Sequence, residues 1–204
     1  MIGHALLALA AIAGPTKLPP IDECTADPSF LKFRAGLITA AEKHDMEAVI
    51  RALDEKVLVD FGGGSGKTAF REKWTSTDSK EVDLWRELKE SLALGCAIRD
   101  GVALAPSLST QLDPDADLFE VALARPGTAV RSEPRNGGKV IATLAWDVVT
   151  IIARSMSDDS VEVRLPDGST GYVNAGQLRT AGDYRLTMEK RGGDWRITAF
   201  VEGD

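Results

Sequence analysis

Histidine and cysteine are scarce in this chain, with two of each in 204 residues. So few imidazoles and thiols argue against a metal centre built on them. Basic residues are also short: Lys and Arg total 24 against 31 Asp and Glu, a formal net charge of −7. That balance argues against general binding to nucleic acid or to anionic membranes, which call for a basic patch. No apolar stretch, the N-terminal run Ala5 to Ala13 included, is long enough to cross a bilayer. No internal repeat or low-complexity tract is visible. What remains is ordinary for a globular protein, with 44% hydrophobic and 27% charged residues, and enough length for one large or two small domains.

The run Ala5 to Ala13 has the length of a signal-peptide core and is followed by small residues and Pro15. Its leading residues lack Lys and Arg and offer only His4. The expectation is a leader over 1–14 and a periplasmic or secreted protein, without stable membrane insertion once the leader is removed. The alternative is a buried N-terminal helix. In an exported chain Cys24 and Cys96 invite a disulfide. Closing that loop is worth about 4 kcal/mol in the chain-entropy model. Two separate buried thiols are the other reading.

An α+β domain is expected over 15–115. Asp27-Pro28 reads as an N-cap followed by proline at the first helical position. Phe30, Phe33, Leu37, Ile38 and Ala41 follow at helical spacing, and Asp45 looks like a fresh cap. Val57 to Phe61 reads as a strand ending at Gly62-Gly63-Gly64. Helices carrying Phe70 and Trp74, then Ser79 to Leu94, should follow, with Gly95 as the stop. At the other end, 183–204 reads as a β-hairpin around Arg191-Gly192-Gly193. A lone hairpin is marginal in water. It is expected to return to the N-terminal domain near Val57 to Phe61, or else to cap the segment before it.

Between these lies 118–180. Short β-branched runs alternate there with turns at Arg135-Asn136-Gly137-Gly138, Asp158-Asp159-Ser160 and Pro166-Asp167-Gly168. That rhythm predicts a small all-β barrel. Thr128-Ala-Val-Arg-Ser-Glu-Pro134, Lys139 to Leu144, Val148 to Ile152, Ser160 to Leu165, and Gly171-Tyr-Val-Asn-Ala-Gly-Gln-Leu178 resemble, in order, the bacterial SH3-like (SH3b) family. The resemblance implies an SH3-like barrel acting as an interaction module, often for cell-wall peptides. The sequence departs from the family in having Trp146-Asp147 where Gly-Asp is usual, and in lacking an aromatic before Ser160. The flanking helices, the Asp60-Phe-Gly-Gly-Gly stretch and the closing Trp195 to Asp204 segment resemble the cone-shaped NTF2-like domains.

Four further motifs invite chemistry. Gly62-Gly-Gly-Ser-Gly-Lys-Thr68 resembles a phosphate loop, but the first glycine of the required pattern would fall on Phe61. A plain strand-to-helix turn with Ser65 as cap is preferred. Cys96 with His44 could form a nucleophile and base, yet no orienting third group is evident. Asp113, Asp115 and Asp117 alternate without the rest of a calcium loop. Asp158-Asp159 reads as a turn.

The expected function is therefore non-enzymatic. The barrel would recognise a cell-envelope peptide, glycan or protein through Trp146, Tyr172 and Asn174, with no cofactor, metal or nucleic-acid partner. The alternative is a small molecule held in an apolar pocket between Phe33, Phe61, Trp74 and Phe200.

Overall fold

The computed structural model describes residues 17–76, 82–112, 117, 119–135, 138–155 and 159–203. The expected leader over 1–14 lies outside them. The fold is mixed α+β, with four α-helices and two sheets.

Aspartates start three of the helices. Asp27 accepts from the Ser29 and Phe30 amides to open α1 (Pro28–Glu42). Asp45 caps α2 (Met46–Ala52), and Asp83 caps α4 (Leu84–Ala93). Each carboxylate satisfies amides that the first helical turn leaves without partners. α3 (Gly66–Thr75) differs: Ser65 occupies the cap position, but its side chain makes no capping bond.

The first sheet has the order β1-β12-β11-β3-β2. It comprises β1 (Leu53–Leu58), β2 (Ala97–Arg99), β3 (Val102–Ala105), β11 (Arg185–Arg191) and β12 (Asp194–Val201). β12 runs parallel to β1 and the other pairs are antiparallel. The C-terminal hairpin is thus the centre of the N-terminal sheet, and Leu53, separated from it by most of the chain, pairs with Ile197. Buried Phe30, Leu37, Val49, Phe70, Leu88, Met188, Trp195 and Phe200 knit the helices to this sheet in one core. Cys24 and Cys96 are joined as a disulfide with Cα atoms 5.6 Å apart, tying the segment before α1 to the start of β2.

The second sheet is antiparallel throughout, in the order β10-β4-β7-β8-β9-β5-β6. Its strands are β4 (Val121–Ala124), β5 (Thr128–Arg131), β6 (Val140–Leu144), β7 (Val148–Arg154), β8 (Ser160–Arg164), β9 (Thr170–Asn174) and β10 (Leu178–Thr180). Ala122, Ala124, Val130, Leu144, Val149, Val161, Val173 and Leu178 meet in a single cluster. A flat sheet could not bring all seven strands to one core, so this sheet curls. It is not a closed barrel: β10 and β6 are its edges and do not pair with each other.

The two units meet at Arg179, on β10 and 4% exposed. Its guanidinium donates to Glu87 (3.2 Å), Glu90 (3.4 Å) and Ser91 Oγ (3.4 Å) on α4, and to the Tyr184 carbonyl. Arg125 adds a second contact to Glu90 at 2.8 Å.

Candidate functional site

Three concavities contain residues singled out by the sequence, and the two larger ones bear on function. The first is a groove of about 580 Å³ on the curled sheet, with Arg131, Glu133, Asp159, Tyr172, Asn174 and Gln177 in its wall. Tyr172 enters from β9, paired with Glu162 on β8 and Arg131 on β5. Asn174 ends β9, and its Oδ1 accepts from the Gly176 amide at 2.9 Å, opening the short 3-10 turn Ala175–Gln177. The carboxamide N–H₂ and the second lone pair of that oxygen are what Asn174 can offer a ligand.

Trp146 does not join Tyr172 and Asn174. It sits in a turn with φ of 62° and packs with Leu18, Leu108, Leu123 and Val148. The Leu18 amide donates to the Trp146 carbonyl at 2.8 Å, and Lys17 pairs with Asp147 at 2.8 Å. The segment entering the fold packs on this turn, which places Trp146 at the seam, away from Tyr172 and Asn174.

The pocket imagined between Phe33, Phe61, Trp74 and Phe200 is not assembled either. Phe200 is buried against Trp74, Tyr184 and Phe70, with centroids 5.6, 5.1 and 6.4 Å away. These rings fill the space between them. Burial, reinforced by the bond that Tyr184 donates to Glu202 at 2.8 Å, pushes the phenol's pKa upward. Phe61 is half exposed beneath the Arg185 guanidinium. Phe33 belongs to a different place, the second concavity.

This second concavity is an open cleft of about 600 Å³ between α1, α2 and the start of β12. Phe33, Gly36 and Leu37 come from α1, spaced so that they share one helical face. Ala48 and Ala52 come from α2, and Trp195 from β12. The Trp195 indole donates to Ser29 Oγ at 3.1 Å, which fixes the ring with its T-shaped contact to Phe30. Gly36 is the informative residue. Its φ is not in the left-handed region, and a Cβ built there meets nothing within 4 Å. Neither backbone geometry nor close packing requires glycine, yet glycine inside a helix costs about 1 kcal/mol relative to alanine. A side chain at this position would stand in open space at the wall of the cleft. Helical periodicity over Phe30 to Ala41 showed the face; nothing in it marked the glycine as part of a site.

The other motifs lose their chemistry. The Gly64 amide donates to Asp60 Oδ1 at 2.9 Å, so the glycine loop closes on its own carboxylate, which repels phosphate. Cys96 is in the disulfide and cannot be a nucleophile, while His44 stacks on Trp85 at 5.0 Å. Asp113, Asp115 and Asp158 lie outside the described residues, and Asp117 caps the Phe119 and Glu120 amides. Among the described residues, no cluster of three His, Cys, Asp or Glu is placed to hold a metal.

No family model matches the chain, and no curated protein matches it. Among the solved structures it is similar to, several are described as NTF2-like or cystatin-like. One is an NTF2-like protein with a cystatin-like fold from Novosphingobium aromaticivorans, at 11% identity over 86% of this chain and 79% of that one, with a TM-score of 0.33. Another, of unknown function, is from Pseudomonas putida KT2440, at 10% identity over 89% and 88%, TM-score 0.31. A third, also of unknown function, is from Shewanella oneidensis MR-1, at 13% identity over 86% and 97%, TM-score 0.30. Likeness at this level assigns neither a family nor an activity.

Proposed function

We propose that this is an exported ligand-binding protein whose N-terminal unit takes a small molecule in the cleft between α1, α2 and β12. The carrying observation is Gly36, a helix-weakening residue with open space where a side chain would stand, at the wall of an apolar concavity. The volume, about 600 Å³, lies within the range usual for small-molecule sites. Export is supported by the disulfide, a bond that persists in oxidising compartments.

The test is a titration with the neutral fluorophore N-phenyl-1-naphthylamine. Saturable binding is expected, weakened at least roughly tenfold by Gly36→Phe, which fills the open space, and unchanged by Tyr172→Ala. Equal binding by Gly36→Phe, with the melting temperature preserved, would contradict the assignment.

A second reading has its own observation. Tyr172 and Asn174 do share a groove, with Arg131, Glu133 and Asp159 around them. That groove is the observation in favour of reading the curled sheet as a binding module for a cell-envelope peptide. Tyr172→Ala should then reduce retention on purified cell wall, and Trp146→Ala should not. Unchanged retention with Tyr172→Ala would remove this reading.

A further inference from the structure

From the charges around the α1–α2 cleft, and resting on the proposal that this cleft binds a small molecule, we infer that its ligand is an amphiphile with one anionic head, of the alkyl carboxylate class. The apolar wall of Phe33, Leu37, Ala48, Ala52 and Trp195 accounts for the tail. The rim accounts for the head. Lys32, Arg51 and Arg196 reach the cleft against a single carboxylate, Asp194, which lies 3.5 Å from Arg196. Lys32 and Arg51 have no ion pair or side-chain hydrogen bond among the described residues.

The convergence of three cations on one apolar cleft sets this rim apart. Elsewhere on the same unit Lys43, Lys56 and Lys89, like Lys32 and Arg51, make no ion pair among the described residues, while several other cations are paired. Arg34 holds Asp22 at 2.6 Å, Arg71 holds Glu47 at 2.8 Å, Lys190 holds Asp27 at 2.9 Å and Arg191 holds Glu189 at 3.0 Å. In a chain with seven more acids than bases, carboxylates are not in short supply. Lys32 and Arg51 flank the cleft from α1 and α2. An anion placed between them supplies the missing counter-charge while its tail covers Phe33 and Trp195, the usual division between an apolar wall and a few polar anchors. A neutral or cationic head gains nothing from this rim, so the charges select among amphiphiles.

The experiment displaces N-phenyl-1-naphthylamine from the full chain with decanoate, decanol and decyltrimethylammonium. Decanoate should displace it roughly tenfold more strongly than decanol, and the cation should be weakest. The decanoate advantage should shrink as salt rises, because the rim is exposed and its charges are screened. It should vanish in Lys32→Ser/Arg51→Ser, while the neutral fluorophore binds as before. Lys32→Glu/Arg51→Glu should reverse the order in favour of the cation. Equal displacement by decanoate and decanol in the unaltered protein, with the fluorophore bound, overturns the anionic head and leaves the cleft. Absence of saturable fluorophore binding overturns the cleft itself, and the head group with it.

Discussion

The two cores are made of different material. The N-terminal unit packs phenylalanine, tryptophan, tyrosine, leucine and methionine between helices and a mixed sheet. The curled unit packs valine, alanine and leucine, with no aromatic ring in its buried cluster. Their connectivity differs as well. Strands β4 to β10 form from one continuous stretch, whereas β1 and its neighbour β12 are separated by more than half the chain. Large side chains suit a unit whose pieces arrive from distant sequence, since each ring buries much surface at few contact points. Alternating β-branched residues suit a sheet built from one stretch, in which β7-β8, β8-β9 and β5-β6 pair as sequence neighbours. The N-terminal core therefore closes only when the last residues are in place, while the curled unit lies wholly between its parts.

Arg179 joins the two, and breaking it gives the largest expected effect. Arg179→Ala removes a buried guanidinium from Glu87, Glu90, Ser91 and the Tyr184 carbonyl, and leaves Glu87, itself 8% exposed, with Arg86 alone. Such a loss costs about 3–5 kcal/mol, read as a lower urea midpoint. Replacing both cysteines by alanine should cost about 4 kcal/mol for a loop of 72 residues. Near-ultraviolet dichroism of the aromatic core should melt earlier, and amide exchange in β7 to β9 should change little. Gly36→Ala works in the opposite direction, raising stability by about 0.5–1 kcal/mol because it removes a helical glycine into open space.

The smallest effect is set by pH. Hydrogen bonds from Ser29, the bond from Lys190 and the amides of α1 hold the Asp27 carboxyl well below the usual aspartate range. A depressed folded pKa means the stabilisation is complete above the unfolded value, near 4, and is lost as pH falls through the lower folded value. Melting temperatures followed downward from pH 5 should therefore fall less steeply in Asp27→Asn than in the unaltered protein. An identical slope would show that Asp27 contributes nothing.

Features written in local chemistry were legible in the sequence. Asp27-Pro28 announces α1, and Arg191-Gly192-Gly193 between two alternating runs announces β11 and β12. The turns at Pro166-Asp167-Gly168 and around Asp147 separate strands where expected. β1 was harder. It begins at Leu53 rather than Val57, because a register shift breaks its alternation and Leu53 also fits the face of the preceding helix. Site positions were less accessible still. Trp146 reads as a binding residue beside Tyr172 and Asn174, but Lys17 and Leu18, far away in sequence, pack on its turn. The cleft at Gly36 was invisible, because an empty space beside a helix leaves no periodic trace.

Backbone amide shifts, recorded while decanoate is added to the full chain, test the central proposition most directly. Occupation of the helical cleft predicts perturbations at Phe33, Gly36, Ala52 and Trp195, with the amides of Arg131, Tyr172 and Asn174 still. Shifts centred on Tyr172 and its neighbours, with Gly36 unmoved, would contradict it.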